Sequence, residues 1–190
     1  MCLHNLDEFL VYGRAEVTYG AAWRSDGVSE ELFHSGYSYH RCGLLNTGSG
    51  IVGTNGGCRP TPNLKFDDVV RSATDGRGGR VRLLKLDCEG SEYPILLTSA
   101  TLDRIHEIVG EFHEFGGDFD ERPVPFELHG CDRLTVLDLE ACLTAAGFEF
   151  SYRRHQVQDE AGRRMPEHLG YFSARRRCRP ILPHPGAAAL

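Results

Sequence analysis

The apolar and polar positions change rhythm several times along the chain. The sharpest feature is V-R-L-L-K-L at Val81–Leu86, a nearly continuous apolar run that ends abruptly in Asp87, Glu89, Gly90 and Glu92. This pattern predicts a buried parallel strand that delivers carboxylates to the carboxyl edge of a sheet and then turns into a helix. Ser91 stands where a helix N-cap is expected. Pro94 falls in the first turn, where a missing N–H costs little, and the helix should run to about Ala100. Leu102–Ile105 leads into a second apolar strand, Ile108–Phe112, which again ends in acid, histidine and acid at Glu111, His113 and Glu114. From Leu134 to Ala146 the apolar residues recur at helical spacing, with Gly147 as the stop. Phe148–Arg153 alternates as a strand should. Gln156–Pro166 reads as a polar turn, and Leu169–Ala174 as the returning strand of an antiparallel pair.

The first third is less regular. Asn5–Leu10 looks like the end of a helix broken by Gly13, and Ala15–Ala22 reads as a short strand followed by Trp23 and Arg24. Ser25-Asp26-Gly27 is a turn signal, and Glu31–Phe33 reads as a short strand. Gly36–Gly57 is rich in glycine and small polar residues, so it is expected to be a mobile loop or a pair of hairpin strands broken by glycines. Pro60 and Pro62 close that region, and Leu64–Val70 reads as a short helix. Strands and helices then alternate up to a late antiparallel hairpin, which argues a mostly parallel α/β sheet.

Composition narrows the class. The 190 residues carry a net charge of −6, with 25% charged and 41% hydrophobic residues, as in an ordinary soluble globular chain. A single domain over residues 1–175 and a disordered Pro/Ala tail over 176–190 are expected. The four arginines in Arg175–Arg179 read as a solvated tail. The charge gives no basic footprint for nucleic acid. No apolar run is long enough to span a bilayer, and the N-terminal residues do not form a secretory signal. Seven cysteines without C-x-x-C pairing suggest free thiols in a reducing cytoplasm.

The strand-tip motifs add a resemblance. K-L-D-C-E-G-S-E, then I-V-G-E-F-H-E, then a Leu-rich helix ending A-A-G-F, resembles the FkbM-type methyltransferase family over roughly residues 5–175. Lys85, Asp87, Glu89, Gly90 and Glu92 fill that family's hallmark. N-L-K-F-D-D-V-V at Asn63–Val70 and A-E-V-T-Y-G-A-A-W at Ala15–Trp23 are similar to flanking family segments. The resemblance implies a Rossmann-like class I methyltransferase sheet with strand order 3-2-1-4-5-7-6, and S-adenosylmethionine as cofactor. It also implies a strand ending in a G-x-G-x-G loop and a second strand ending in an acid, and neither is found here. Gly48, Gly50 and Gly53 come too late and follow no predicted strand. The sheet is therefore expected to be N-terminally truncated, to be rearranged, or to be completed by a second copy or a partner chain along the exposed edge of the Val81–Leu86 strand.

The chemistry implied by the resemblance is methyl transfer to the hydroxyl of a small molecule or sugar. His113 is the preferred base because histidine titrates near neutrality. Asp87 would contact the cofactor or the acceptor, and Glu89 is the third catalytic candidate. Glu92 would orient the acceptor or the histidine, or simply cap the helix. Glu111, Tyr37 and Tyr39, with His40 beside them, would line the acceptor pocket. Ala21, Ala22 and Trp23 would flank the adenine, unless Trp23 is a core residue. No resident metal is expected, although Asp87, Glu89, Glu111 and His113 would also suit Mg, Mn or Zn. A non-catalytic subunit that binds a partner through the open edge is the alternative.

Overall fold

The computed structural model describes residues 18, 20–27, 33–35, 49–50, 58–60, 63–75, 79–88, 90–118, 124, 127–128, 130–158 and 162–177. The expected helix end at Asn5–Leu10 and the C-terminal tail from residue 178 lie outside them.

Among the described residues, nine strands and three helices follow in order: β1 (Ala21–Trp23), β2 (Phe33–Ser35), β3 (Ser49–Gly50), β4 (Cys58–Pro60), β5 (Asn63–Lys65), α1 (Phe66–Thr74), β6 (Leu84–Leu86), α2 (Glu92–Leu97), β7 (Glu107–His113), α3 (Val136–Ala145), β8 (Phe148–Gln158) and β9 (Arg164–Arg176). A single 3-10 turn, Leu102–Arg104, precedes β7. The result is a mixed α/β arrangement of three sheets, ordered β1-β5, β3-β2-β4 and β6-β7-β9-β8.

The four-stranded sheet positions the site. β6 and β7 run parallel, with Leu84 opposite Ile108 and Leu86 opposite Gly110. β9 runs antiparallel to β7 and β8 antiparallel to β9. β7 alternates as the sequence does. Ile108, Gly110 and Phe112 are buried, while Val109 and Glu111 on the other face are half-buried. Gly110 is required by packing, because a Cβ there would come within 2.4 Å of the Leu86 carbonyl oxygen. Ile108, Phe112, Phe148, Phe172 and Ala174 join Ile95 and Leu96 of α2 and Leu139 and Leu143 of α3 in one core. α3 starts cleanly because the Asp138 carboxylate accepts bonds from both the amide (2.7 Å) and hydroxyl (2.9 Å) of Thr135.

Several elements differ from the sequence pattern. Leu64 and Lys65 belong to β5, not to a helix, because the segment pairs in parallel with β1 before α1 begins at Phe66. The first strand covers Ala21–Trp23 and so takes in Trp23, while Thr18 and Gly20 lie outside it. Val81 makes only an isolated bridge to Ile105, which leaves β6 three residues long. α2 ends at Leu97 instead of near Ala100. Of the segment expected as a mobile loop or broken hairpin, Ser49–Gly50 is described and pairs with β2.

At the other end, β8 runs on to Gln158 and β9 begins at Arg164, so most of the expected turn at 156–166 is strand. Val157 and Met165 pair across it. Arg176 also lies in β9 and is no solvated tail. Its guanidinium donates to the carbonyls of Ile105 (2.8 Å), Leu102 (2.6 Å) and Ala146 (3.2 Å) and covers the Phe148 ring. The boundary expected between residues 175 and 176 thus falls inside a strand.

A second network locks α1 to the segment that follows α2. The buried Asp67 carboxylate accepts bonds from the Ser99 and Thr101 hydroxyls (2.7 and 2.9 Å) and the Ala100 amide (3.0 Å). Burial alone would raise its pKa. These bonds and the Arg71 charge outweigh that effect and hold the carboxyl below its usual value. The amide of Asp67, in the first turn of α1, is capped from a distance by Ser25 Oγ (3.0 Å), in the turn after β1.

Candidate active site

β6 and β7 are adjacent and parallel, so their carboxyl ends deliver Asp87 and Glu111 side by side. β9 adds Tyr171, whose register partner is Glu111, and β8 adds Arg153 opposite Tyr171. Neighbouring strands stand about 4.8 Å apart, so these side chains form a row across the sheet edge. His113 follows Glu111 at two-residue spacing on the same face of β7. One ligand atom each from Asp87, Glu111 and His113 all lie within 4.8 Å of one another. A pocket of about 320 Å³ opens here, lined by Lys85, Asp87, Glu111 and Tyr171 among others. A larger cavity, about 700 Å³, lies between β5 and α1, but its lining of Asn63, Lys65, Asp68 and Ser72 offers no comparable convergence of groups.

The members of the row differ in access. The side chains of Asp87 and Glu111 are 41% and 25% exposed, open to a ligand, whereas His113 is 3% exposed. His113 Nε2 lies 3.8 Å from Glu111 Oε2, and its Nδ1 lies 3.3 Å from Glu92 Oε1. The Tyr171 hydroxyl hydrogen-bonds Glu111; this bond and the charges of Glu111 and Asp87 raise its pKa above the usual value. Lys85 Nζ is 3.9 Å from Asp87 and well exposed.

Glu92 presents no exposed surface to an acceptor. Its side chain is 0% exposed, with Oε1 accepting the Cys88 amide (2.7 Å) and Oε2 the Gly90 amide (2.8 Å). Ser91 makes no side-chain cap bond to the helix it precedes, and Glu92 instead accepts the two loop amides ahead of it. It ties down the loop that carries Asp87 and stands behind His113. Gly90 closes this loop at φ +100°, with the Phe115 ring against its α-carbon.

Glu114 does not join the row. Its side chain is buried, pairs in fork geometry with Arg154 (2.6 Å for each bond), and accepts the Val136 amide at the start of α3. The buried Tyr93 hydroxyl has no hydrogen-bond partner among the described residues, and burial, with the nearby Glu114 and Glu92 charges, pushes its pKa well above the usual value. Trp23 is a core residue, 2% exposed, so its ring offers no open face to an adenine. Ala22 packs against the same core. The Ala21 side chain, Glu89, Tyr37, Tyr39 and His40 lie outside the described residues.

Tyr171 was missed in the sequence. The sequence placed it only within a returning strand, and the β7–β9 register sets it beside Glu111.

A mixed α/β fold with carboxylates and a histidine gathered at the ends of adjacent parallel strands presents the kind of sheet edge at which open α/β sheets hold ligands. The model of the methyltransferase FkbM domain matches residues 5–150, and the chain belongs to that methyltransferase family, which is generally S-adenosylmethionine-dependent. No curated protein and no solved structure matches the chain. Among the described residues no helix is long and apolar enough to cross a membrane.

Proposed function

We propose that the chain is an S-adenosylmethionine-dependent O-methyltransferase acting on the hydroxyl of a small molecule or sugar. The observation that carries this reading is the convergence of Asp87, Glu111 and His113 at the carboxyl ends of β6 and β7. The strand order β6-β7-β9-β8 supports it, since it corresponds to the 4-5-7-6 part of a Rossmann-like class I methyltransferase sheet. Of the residues assigned to the cofactor, Asp87 fits, as an open carboxylate beside the pocket, and Trp23 does not.

Bound S-adenosylmethionine would supply a methyl group to the acceptor oxygen, the C–S bond breaking with its electron pair passing to sulfur. The chain's own residues would hold the acceptor. Asp87 and Glu111 accept its hydroxyl, Tyr171 and Glu92 hold Glu111 and His113 in place, and the cluster takes the proton on its way to solvent.

β6 ends the described sheet, so we place a partner strand, from a second copy or another chain, along its open side. A cytoplasmic setting is supported by the free thiols of Cys131 and Cys142.

Calorimetric titration of the purified chain with S-adenosylhomocysteine tests the reading. Binding is expected, weakened in Asp87→Ala with the fold retained. No binding by the chain at any oligomeric state would refute it and leave the non-catalytic subunit.

A further inference from the structure

We propose that Asp87, Glu111 and His113 form a binding site for one first-row divalent cation, of the Mn²⁺ class. Two ligand atoms held 2.1 Å from one ion at angles of 90–120° stand about 3.0–3.6 Å apart. His113 Nε2 and Glu111 Oε2 are already 3.8 Å apart, and the set with Asp87 spans no more than 4.8 Å. Side-chain rotation of the partly exposed Asp87 and Glu111 closes the remaining gap without moving the backbone. Two carboxylate oxygens and one imidazole nitrogen make a mixed donor set. Oxygen donors suit Mg²⁺ and Mn²⁺ and imidazole suits the later metals, so an ion that accepts both is favoured.

An independent observation comes from outside the three donors. The imidazole of a metal-bound histidine typically has its second nitrogen against a carboxylate, which fixes the ring and strengthens the ligand. Glu92 stands on that side of the ring, fully buried, with Oε1 3.3 Å from His113 Nδ1, while Nε2 lies 3.8 Å from Glu111 Oε2. Tyr171, the register partner of Glu111 on β9, stands beside it. Lys85 opposes this negative cluster only from solvent, as an exposed point charge 3.9 Å from Asp87.

The catalytic consequence rests on the methyl-transfer reading. An acceptor hydroxyl on the cation would lose its proton more readily, and His113 would serve as a ligand in place of a base.

Electron paramagnetic resonance of free Mn²⁺, titrated against EDTA-stripped full chain without cofactor, tests the site. The wild-type chain is expected to remove one equivalent of Mn²⁺ from the signal. Asp87→Asn and Glu111→Gln, both at exposed positions that leave the fold intact by circular dichroism, should weaken binding about tenfold or more. Tyr171→Phe, which removes an outer contact, should also weaken it, up to about tenfold. Absence of Mn²⁺ binding by the wild type, or wild-type affinity in folded Asp87→Asn, would overturn the proposal. The two readings separate cleanly. Mn²⁺ binding without S-adenosylhomocysteine binding keeps the cation site and removes methyl transfer, and the reverse pattern removes the cation site alone.

Discussion

Glu92→Gln probes the strand-to-helix edge most directly, because the two shapes are nearly identical and only the donor–acceptor pattern changes. Glu92 accepts one backbone amide on each oxygen, from Cys88 at 2.7 Å and Gly90 at 2.8 Å, with no exposed surface. Glutamine retains one acceptor and turns an NH₂ group toward the other amide. One charge-assisted bond is lost and a buried donor is left unmatched, at a cost of about 1.5–3 kcal/mol. In a chain of this length each kcal/mol lowers Tm by about 2–4 °C, so a fall of roughly 3–12 °C is expected. Glu92→Ala frees both amides and leaves a cavity, so it must cost more than the glutamine variant. Thermal unfolding followed by circular dichroism, with urea midpoints as a second measure, reads both. A Tm for Glu92→Gln within about 1 °C of wild type, or an alanine variant no worse than the glutamine one, would refute the role of these two bonds in holding the loop.

Gly90→Ala should cost about 2 kcal/mol or more, since φ is +100° and the new Cβ would stand 2.5 Å from the Phe115 ring. Gly130→Ala is the control, at φ +71° with nothing within 4 Å, and should cost only about 1 kcal/mol in the same urea titration. Asp67→Asn tests linkage. The folded pKa of Asp67 lies below its usual 3.8, so its charge stabilises the fold above that pH, and the benefit fades as pH falls through the lowered folded value. The stability gap between wild type and Asp67→Asn should therefore be full at neutral pH and narrow below about pH 4 in denaturant titrations. Arg176→Ala leaves the carbonyls of Leu102, Ile105 and Ala146 without their guanidinium and should cost about 1–3 kcal/mol. Arg177→Ala removes only an exposed contact with Glu149 and should stay within about 0.5 kcal/mol by the same measurement.

Much of the site was legible in the chain itself. The abrupt passage from apolar run to polar residues at Leu86–Asp87 and Phe112–His113 marks two strand tips, because the burial of a parallel strand and the polarity of its carboxyl edge are both written locally. Alternation in β7 likewise assigns Ile108 and Phe112 to the core and Glu111 to the opposite face. The period of a helix and its Gly147 stop made α3 readable for the same reason.

Other features depended on distances between segments far apart in sequence. Leu64 and Lys65 became strand because β1 pairs with them, and no local pattern reports that pairing. Glu111, Glu114 and Glu92 look alike as sequence. Only the packed structure turns Glu114 to Arg154, sets Glu92 beneath His113, and leaves Glu111 in the pocket beside Tyr171. A carboxylate's role follows from which donors surround it and how much water reaches it, and both are set by strand register and helix placement. By itself, then, the sequence determined which residues stand at the sheet edge, while the tertiary structure decided which of them line the open pocket and which hold the edge together.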